Sequence, residues 1–181
     1  VGQIYDILDK SAPFKRADKY DNSGILVGSR EDSVSKVLIA LDITNDVIEE
    51  AKEKGADLII SHHPVFNFRY EEFGNIDNKT PIYNLAKYGI SAICTHTCLD
   101  VAEGGINDIL CDLLELTKVE VLALSESENL LRVGFTDRTT PEDFARFVSR
   151  QLSADVRFCD GEKEIETVAV CSGAGSEFAK E

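Results

Sequence analysis

The sequence has no methionine and no tryptophan, and its 181 residues include only three histidines and four prolines. Positive charge is scarce as well, with 19 Lys and Arg against 33 Asp and Glu and a net charge of −14. Broad contact with a nucleic-acid backbone needs clustered Lys and Arg to displace counterions, so extended nucleic acid is a poor partner for this chain. No apolar run approaches the roughly 18 residues of a membrane helix. The longest, residues 37–41 and 58–60, have strand length. The start, Val1-Gly2-Gln3-Ile4, lacks a basic stretch followed by an apolar one, so no secretory signal is read. Cys94, Cys98, Cys111, Cys159 and Cys171 are odd in number and form no Cys-x-x-Cys pair, which fits reduced thiols in the cytoplasm better than a disulfide framework. The missing methionine has two explanations: a trimmed start, or modified methionines omitted from the sequence, which would leave some spacings one residue short.

What is there is the composition of a globular chain, 43% apolar and 29% charged, which excludes disorder, collagen and coiled coil. Ile4, Ile7 and Leu8 share a helical face that Pro13 ends. Asp21-Asn22-Ser23-Gly24 is turn chemistry ahead of a short strand at 25–27, closed by Gly28. Residues 37–41 read as a strand covered on both faces, Thr44 caps a helix that stops at Gly55, and residues 58–60 return as a buried strand, which makes a βαβ unit. Thr80-Pro81 opens a second helix, Gly89 stops it, and residues 90–94 form a third strand. Ile106, Ile109, Leu110, Leu113 and Leu114 then mark an amphipathic helix. Beyond a polar link at 125–129, strands are expected at 130–135, 156–159 and 167–171, with a helix from Thr140-Pro141. The fold class is α/β, with mostly parallel or mixed sheets built from βαβ units in two lobes. Residues 1–118 form the first α/β lobe and 119–181 begin a second. Ser176 would cap a helix with only five residues before Glu181, so the natural protein is expected to continue.

All three histidines lie in Ser61-His62-His63-Pro64 and Thr95-His96-Thr97-Cys98-Leu99-Asp100, each segment directly after a buried strand. Open α/β sheets build their sites at the carboxyl edge of the strands, so neighbouring strands would bring the two segments together across one crevice. His and Asp suit first-row divalent metals. Consecutive side chains on extended backbone point to opposite sides, so His62 and His63 would each serve a different ion of a close pair, an arrangement familiar in hydrolases. His62, His63, Asp100 and His96 are too few to supply about three protein ligands to each of two ions. Plainer roles stand beside this: a His pair that only hydrogen-bonds loop backbone, and an Asp100 that only caps the next helix. A zinc site from Cys94 and Cys98 flanking His96, a phosphate cradle at Gly173-x-Gly175, and an Asp21 turn reaching the same edge are weaker alternatives.

The segments Asp21-Asn22-Ser23-Gly24-Ile25-Leu26-Val27-Gly28, Leu41-Asp42-Ile43-Thr44, Ser61-His62-His63-Pro64 and Thr95-His96-Thr97-Cys98-Leu99-Asp100, followed by Gly104-Gly105-Ile106-Asn107-Asp108, resemble the Nif-three-like dinuclear-metal proteins, also named GTP cyclohydrolase 1 type 2 homologues. The resemblance implies that His62 and His63 each bind one of two divalent ions (Zn, Fe, Mn or similar), that Asp100 is a further ligand, and that His96 stands beside them either as a catalytic group or as one that only supports the ligands. It also implies a two-lobed subunit of a kind commonly assembled into a homohexamer, with a small anionic, nucleotide-like molecule as a candidate substrate. The family's Gly-His-x-x-Thr-Glu-like segment has no counterpart here, since no His follows His96, and Cys98 stands where relatives often carry Asn. The expected function is a metal-dependent hydrolase of the GTP cyclohydrolase type. A phosphoesterase using the same ions and a non-catalytic metal-binding scaffold are the alternatives.

Overall fold

Crossover helices lay three strands of the chain parallel, and the architecture grows from that repeat. The computed structural model describes residues 1–66, 76–77, 79–124, 127–173, 175 and 178. The chain divides into two compact units, Val1–Ala102 and Glu103–Glu181. The first contains α1 (Gly2–Ser11), a 3-10 turn at Phe14–Arg16, β1 (Gly24–Val27), β2 (Val37–Ala40), α2 (Asn45–Lys54), β3 (Leu58–Ser61), α3 (Pro81–Tyr88), β4 (Ser91–Cys94) and α4 (Thr97–Asp100). Its sheet has the order β1-β4-β3-β2. Strands β2, β3 and β4 are parallel, and β1 joins β4 antiparallel, so the sheet is mixed.

Local chemistry explains the elements. Thr44 Oγ1 accepts the Val47 N–H at 3.3 Å at the start of α2, and Gly55 and Gly89 end α2 and α3 in the left-handed conformation. Gly28 closes β1 at φ +96°, where a Cβ would come within 2.3 Å of Ser91 Oγ. Only glycine fits there. One sheet face packs Ile59 and Ala92 under Ile48 and Ala51 of α2 and Leu85 of α3. The other packs Leu58 and Ile93 under Val1, with Ile4 and Leu8 of α1.

The apolar run at 37–41 is not covered on both faces. β2 is the outermost strand, and the cluster beneath α1 ends at Leu58 and Ile60 of its neighbour. Leu38 packs toward α2, while Ile39 is 79% exposed, with Val37 and Leu41 exposed beside it. A continuous apolar run is the pattern of a central strand, but it does not show whether a second layer reaches it. Asp57 ties the starts of β2 and β3 together: its N–H donates to Lys36 O at 2.9 Å, and its Oδ2 accepts the N–H groups of Ser35 and Lys36 at 2.7 and 3.0 Å.

The second unit contains α5 (Ile106–Leu113), β5 (Thr117–Leu124), β6 (Ser127–Thr139), α6 (Pro141–Leu152) and β7 (Ile165–Val170). Its sheet, β5-β6-β7, is antiparallel throughout rather than a further βαβ repeat. Helix α5, which the sequence groups with residues 1–118, lies in this unit, where its Cys111 and Leu114 pack with Leu116, Val170 and Phe147 of α6. Residues 127–129 of the expected polar link open β6, and 125–126 lie outside the described residues. Residues 155–160, expected to include a strand, are irregular. Asn107 and Asp108, part of the motif after Gly104-Gly105, have structural partners: Asn107 Oδ1 accepts the Ser172 N–H at 2.7 Å, and Asp108 holds the buried Arg132 and the Gly104 N–H. Gly173 is a turn at φ +66°, while Ala174 and the proposed cap Ser176 lie outside the described residues. No helix among the described residues is long and apolar enough to cross a membrane.

Ile59→Ala is expected to cost about 2–5 kcal/mol in urea unfolding, from the cavity left between two layers. Ile39→Ala at the open strand should change stability by less than about 0.5 kcal/mol. The Ser35 and Lys36 amides hold the Asp57 carboxyl below its ordinary pKa. Its contribution is therefore present above that ordinary value and is lost as pH falls through the folded one. Asp57→Asn should flatten the acid limb of the stability profile and leave its shape near neutral pH unchanged.

Candidate functional site

The chain's three histidines converge at the carboxyl ends of β3 and β4. The register sets Ser61 opposite Cys94, so His62 and His96 leave adjacent strands at the same edge. β3 stops at Ser61, and three bonds then bend the backbone. Ser61 Oγ donates to His63 O at 2.7 Å, the His63 N–H donates to Leu41 O at 2.9 Å, and Cys94 Sγ donates to His62 O at 2.9 Å. The rings of His62 and His63 therefore do not splay as they would on extended backbone; their centroids are 5.0 Å apart. His96 lies 5.2 Å from His62 and 5.7 Å from His63. One ring nitrogen from each lies within 4.8 Å of the others, the one group of three or more such donors found among the described residues.

Each ring is held by Nδ1. Thr95 O lies 3.3 Å from Nδ1 of His62, Asp42 Oδ1 lies 2.7 Å from that of His63, and Asp21 Oδ1 lies 2.7 Å from that of His96. Carbonyl and carboxylate oxygens only accept, so a neutral ring in each place carries its proton on Nδ1 and leaves Nε2 with a free lone pair. Asp100, on α4, a single helical turn directly after His96, approaches one member of this group, His62. It is 6% exposed, and its Oδ1 sits 3.9 Å from His62 Nε2 with no hydrogen-bond partner. A buried carboxylate oxygen without a donor is costly, and imidazole and carboxylate are donor types able to hold a divalent cation.

Two acids reach the site from turns whose sequence signal is weaker. Asp42 follows β2, and because Ala40 pairs with Ser61 in parallel register it arrives beside His63. Its signal in the sequence is of the same kind as that of the histidines, a polar residue just past a parallel strand. Asp21 sits in turn chemistry by its sequence, yet β1 runs antiparallel with Gly24 opposite Cys94, which brings this turn to the same edge. Burial works to raise the Asp21 pKa, but hydrogen bonds from His96, Thr97 and Ser23 outweigh it and hold the carboxyl well below the usual range. The bond to Asp21 raises the His96 pKa, against a smaller opposing effect of burial. Burial pushes the Cys94 thiol up to about 12 and that of Cys98 up to about 11, so both stay protonated, and no cysteine sulfur belongs to the cluster.

The family model described as Duf34/NIF3 (NGG1p interacting factor 3) matches residues 1–181. The chain belongs to this family. Among Duf34/NIF3 relatives, the GTP cyclohydrolase 1 type 2 homolog of Clostridium perfringens is 32% identical over 186 residues, covering 98% of this chain and 71% of that protein. The protein of the same name from Listeria innocua is 40% identical over 132 residues, covering 71% of this chain but 35% of its own length. The crystal structure of Staphylococcus aureus hypothetical protein SA1388 matches with a TM-score of 0.82 at 26% identity, over 97% of this chain and 72% of that one. A Bacillus cereus protein related to NIF3 shares the fold at 20% identity and a TM-score of 0.81, over 97% of this chain and 77% of that one.

Asp100→Asn is expected to leave the thermal midpoint of chelator-treated protein unchanged or higher, because it removes a buried charge whose Oδ1 has no donor. A drop of several degrees would make the carboxylate a structural group instead.

Proposed function

We propose that His62, His63 and Asp100 bind divalent metal and that the protein is a metal-dependent hydrolase of the GTP cyclohydrolase 1 type 2 kind, acting on a small anionic, nucleotide-like substrate. The observation that carries this reading is the partnerless Asp100 Oδ1 lying 3.9 Å from one of three histidines whose ring nitrogens gather within 4.8 Å. Without a cation, converging lone pairs and a buried carboxylate repel each other; with one, the same set is favourable.

Imidazole and carboxylate donors suit zinc, iron or manganese. Asp42 and the Thr95 carbonyl hold the two ligand rings by Nδ1, the outer-shell arrangement that orients metal-bound histidine. A bound divalent ion supplies an acidified water and a positive charge for an anionic substrate. His96, held by Asp21 through Nδ1, would be the group placed beside the ligands to accept or donate a proton. A pair of ions, as the family resemblance implies, needs donors beyond these four. The name borne by the Clostridium and Listeria relatives supports the substrate class, and the net charge of −14 explains why an anionic substrate would need bound cations to approach. Assembly into a homohexamer belongs to the same proposal and is read by light scattering.

Elemental analysis of purified protein is expected to find zinc, iron or manganese, with His63→Ala combined with Asp100→Ala lowering the bound metal at least about tenfold. Unchanged stoichiometry in that double variant would refute the site. Turnover of GTP with metal supplied supports the hydrolase assignment. Turnover of model phosphodiesters alone reassigns it to a phosphoesterase, and tight metal with no turnover of either leaves a binding scaffold.

A further inference from the structure

We infer that Asp21 is the positioning residue of His96: its carboxylate fixes the proton of the imidazole on Nδ1 and keeps the Nε2 lone pair for the cluster. The inference deepens the proposed function, since the work of that lone pair rests on the metal-centre reading, but the geometry stands without metal.

The proton directions around Asp21 leave one solution. Its Oδ1 accepts the Asn22 N–H at 2.6 Å, and its Oδ2 accepts the Thr97 N–H at 3.0 Å. Neither backbone donor can be reversed. Ser23 Oγ accepts the His96 N–H at 3.3 Å and donates to Asp21 Oδ2 at 2.8 Å. Thr97 Oγ1 accepts the Asp18 N–H at 2.9 Å and donates to the same oxygen at 2.6 Å. Both hydroxyls thus take a backbone proton on one side and pass their own to Asp21. The remaining partner is His96 Nδ1 at 2.7 Å, and before an ionised, acceptor-only carboxylate that nitrogen must carry hydrogen.

An amide cannot replace this carboxylate. Whichever way an asparagine turned, its NH2 would face a backbone N–H, from Asn22 on one side or Thr97 on the other. With the NH2 toward His96, the ring would have to accept on Nδ1 and move its proton to Nε2, the nitrogen that Asp21 does not hold. Asp42 faces His63 in the same way, but its side chain is 55% exposed against 4% for Asp21, so water competes for that bond. Asp21 is therefore the acid whose grip sets a tautomer, and it reaches His96 because β1 runs against β4.

The test is long-range 1H–15N NMR of the histidine rings in metal-free protein, at a pH high enough for His96 to be neutral. Native His96 is expected to show a protonated Nδ1 and a bare Nε2. In Asp21→Asn the two nitrogen signals should move toward each other or exchange positions, and Asp21→Glu should restore at least part of their separation. The inference is overturned if native His96 carries its proton on Nε2. It is equally overturned if Asp21→Asn leaves both signals in place while the backbone spectrum stays folded. Should Asp21→Asn fail to fold, the native spectrum decides by itself. Zinc titration of the native protein is a separate arm: absence of binding removes the metal-centre reading and leaves the tautomer result standing.

Discussion

Parallel hydrogen bonding between β3 and β4, in the register that sets Ser61 opposite Cys94, delivers two loops to one edge at once, and each histidine owes its place to it. β2 extends the same register by one strand and adds Asp42. β1 enters with opposite polarity, so its beginning, not its end, lies at that edge, and the turn holding Asp21 comes with it. Four segments far apart in sequence therefore meet because of one sheet and the direction of each of its strands.

The same edge concentrates groups that a folded core would ordinarily exclude. Three imidazoles gather there with a buried carboxylate 3.9 Å from one of them, and hydrogen bonds to Nδ1 hold the rings. The backbone bend after Ser61 is part of this economy, since it turns two consecutive histidines to one side. The buried thiols of Cys94 and Cys98 line the inner wall as small apolar groups, and Cys94 also steadies the His62 carbonyl. The cost to stability is plainest at Asp100, which the fold buries without giving its Oδ1 a donor.

Much of the first unit was legible in the sequence. Thr44, Gly55, Pro81 and Gly89 mark helix ends through local chemistry, and local chemistry is what a single sequence records well. The clustering of His62, His63 and His96 was legible as well, once their strands were taken as neighbours. What escaped depends on partners distant in the chain. Strand polarity decides whether Asp21 sits near the site or across the sheet from it, and no residue within 21–28 encodes that choice. The open side of β2 escaped because coverage is a property of α1. In the second unit, the stretch that leads into β6 reads as a link from its polar composition, but an antiparallel strand tolerates polar residues as long as its neighbours pair with it. Residues 155–160 show the converse: apolar letters at Val156 and Phe158 without a ladder to join.

The exposed row Val37, Ile39 and Leu41 bears on how the protein behaves as a colloid. An outer strand with apolar side chains and free backbone groups is adhesive toward a second copy. A net charge of −14 supplies long-range repulsion that holds such surfaces apart, but that charge disappears near the isoelectric point of about 4.6. Acidity and concentrated salt both weaken this protection, so the strand that sets Asp42 beside His63 is also a surface on which copies of the chain can cohere.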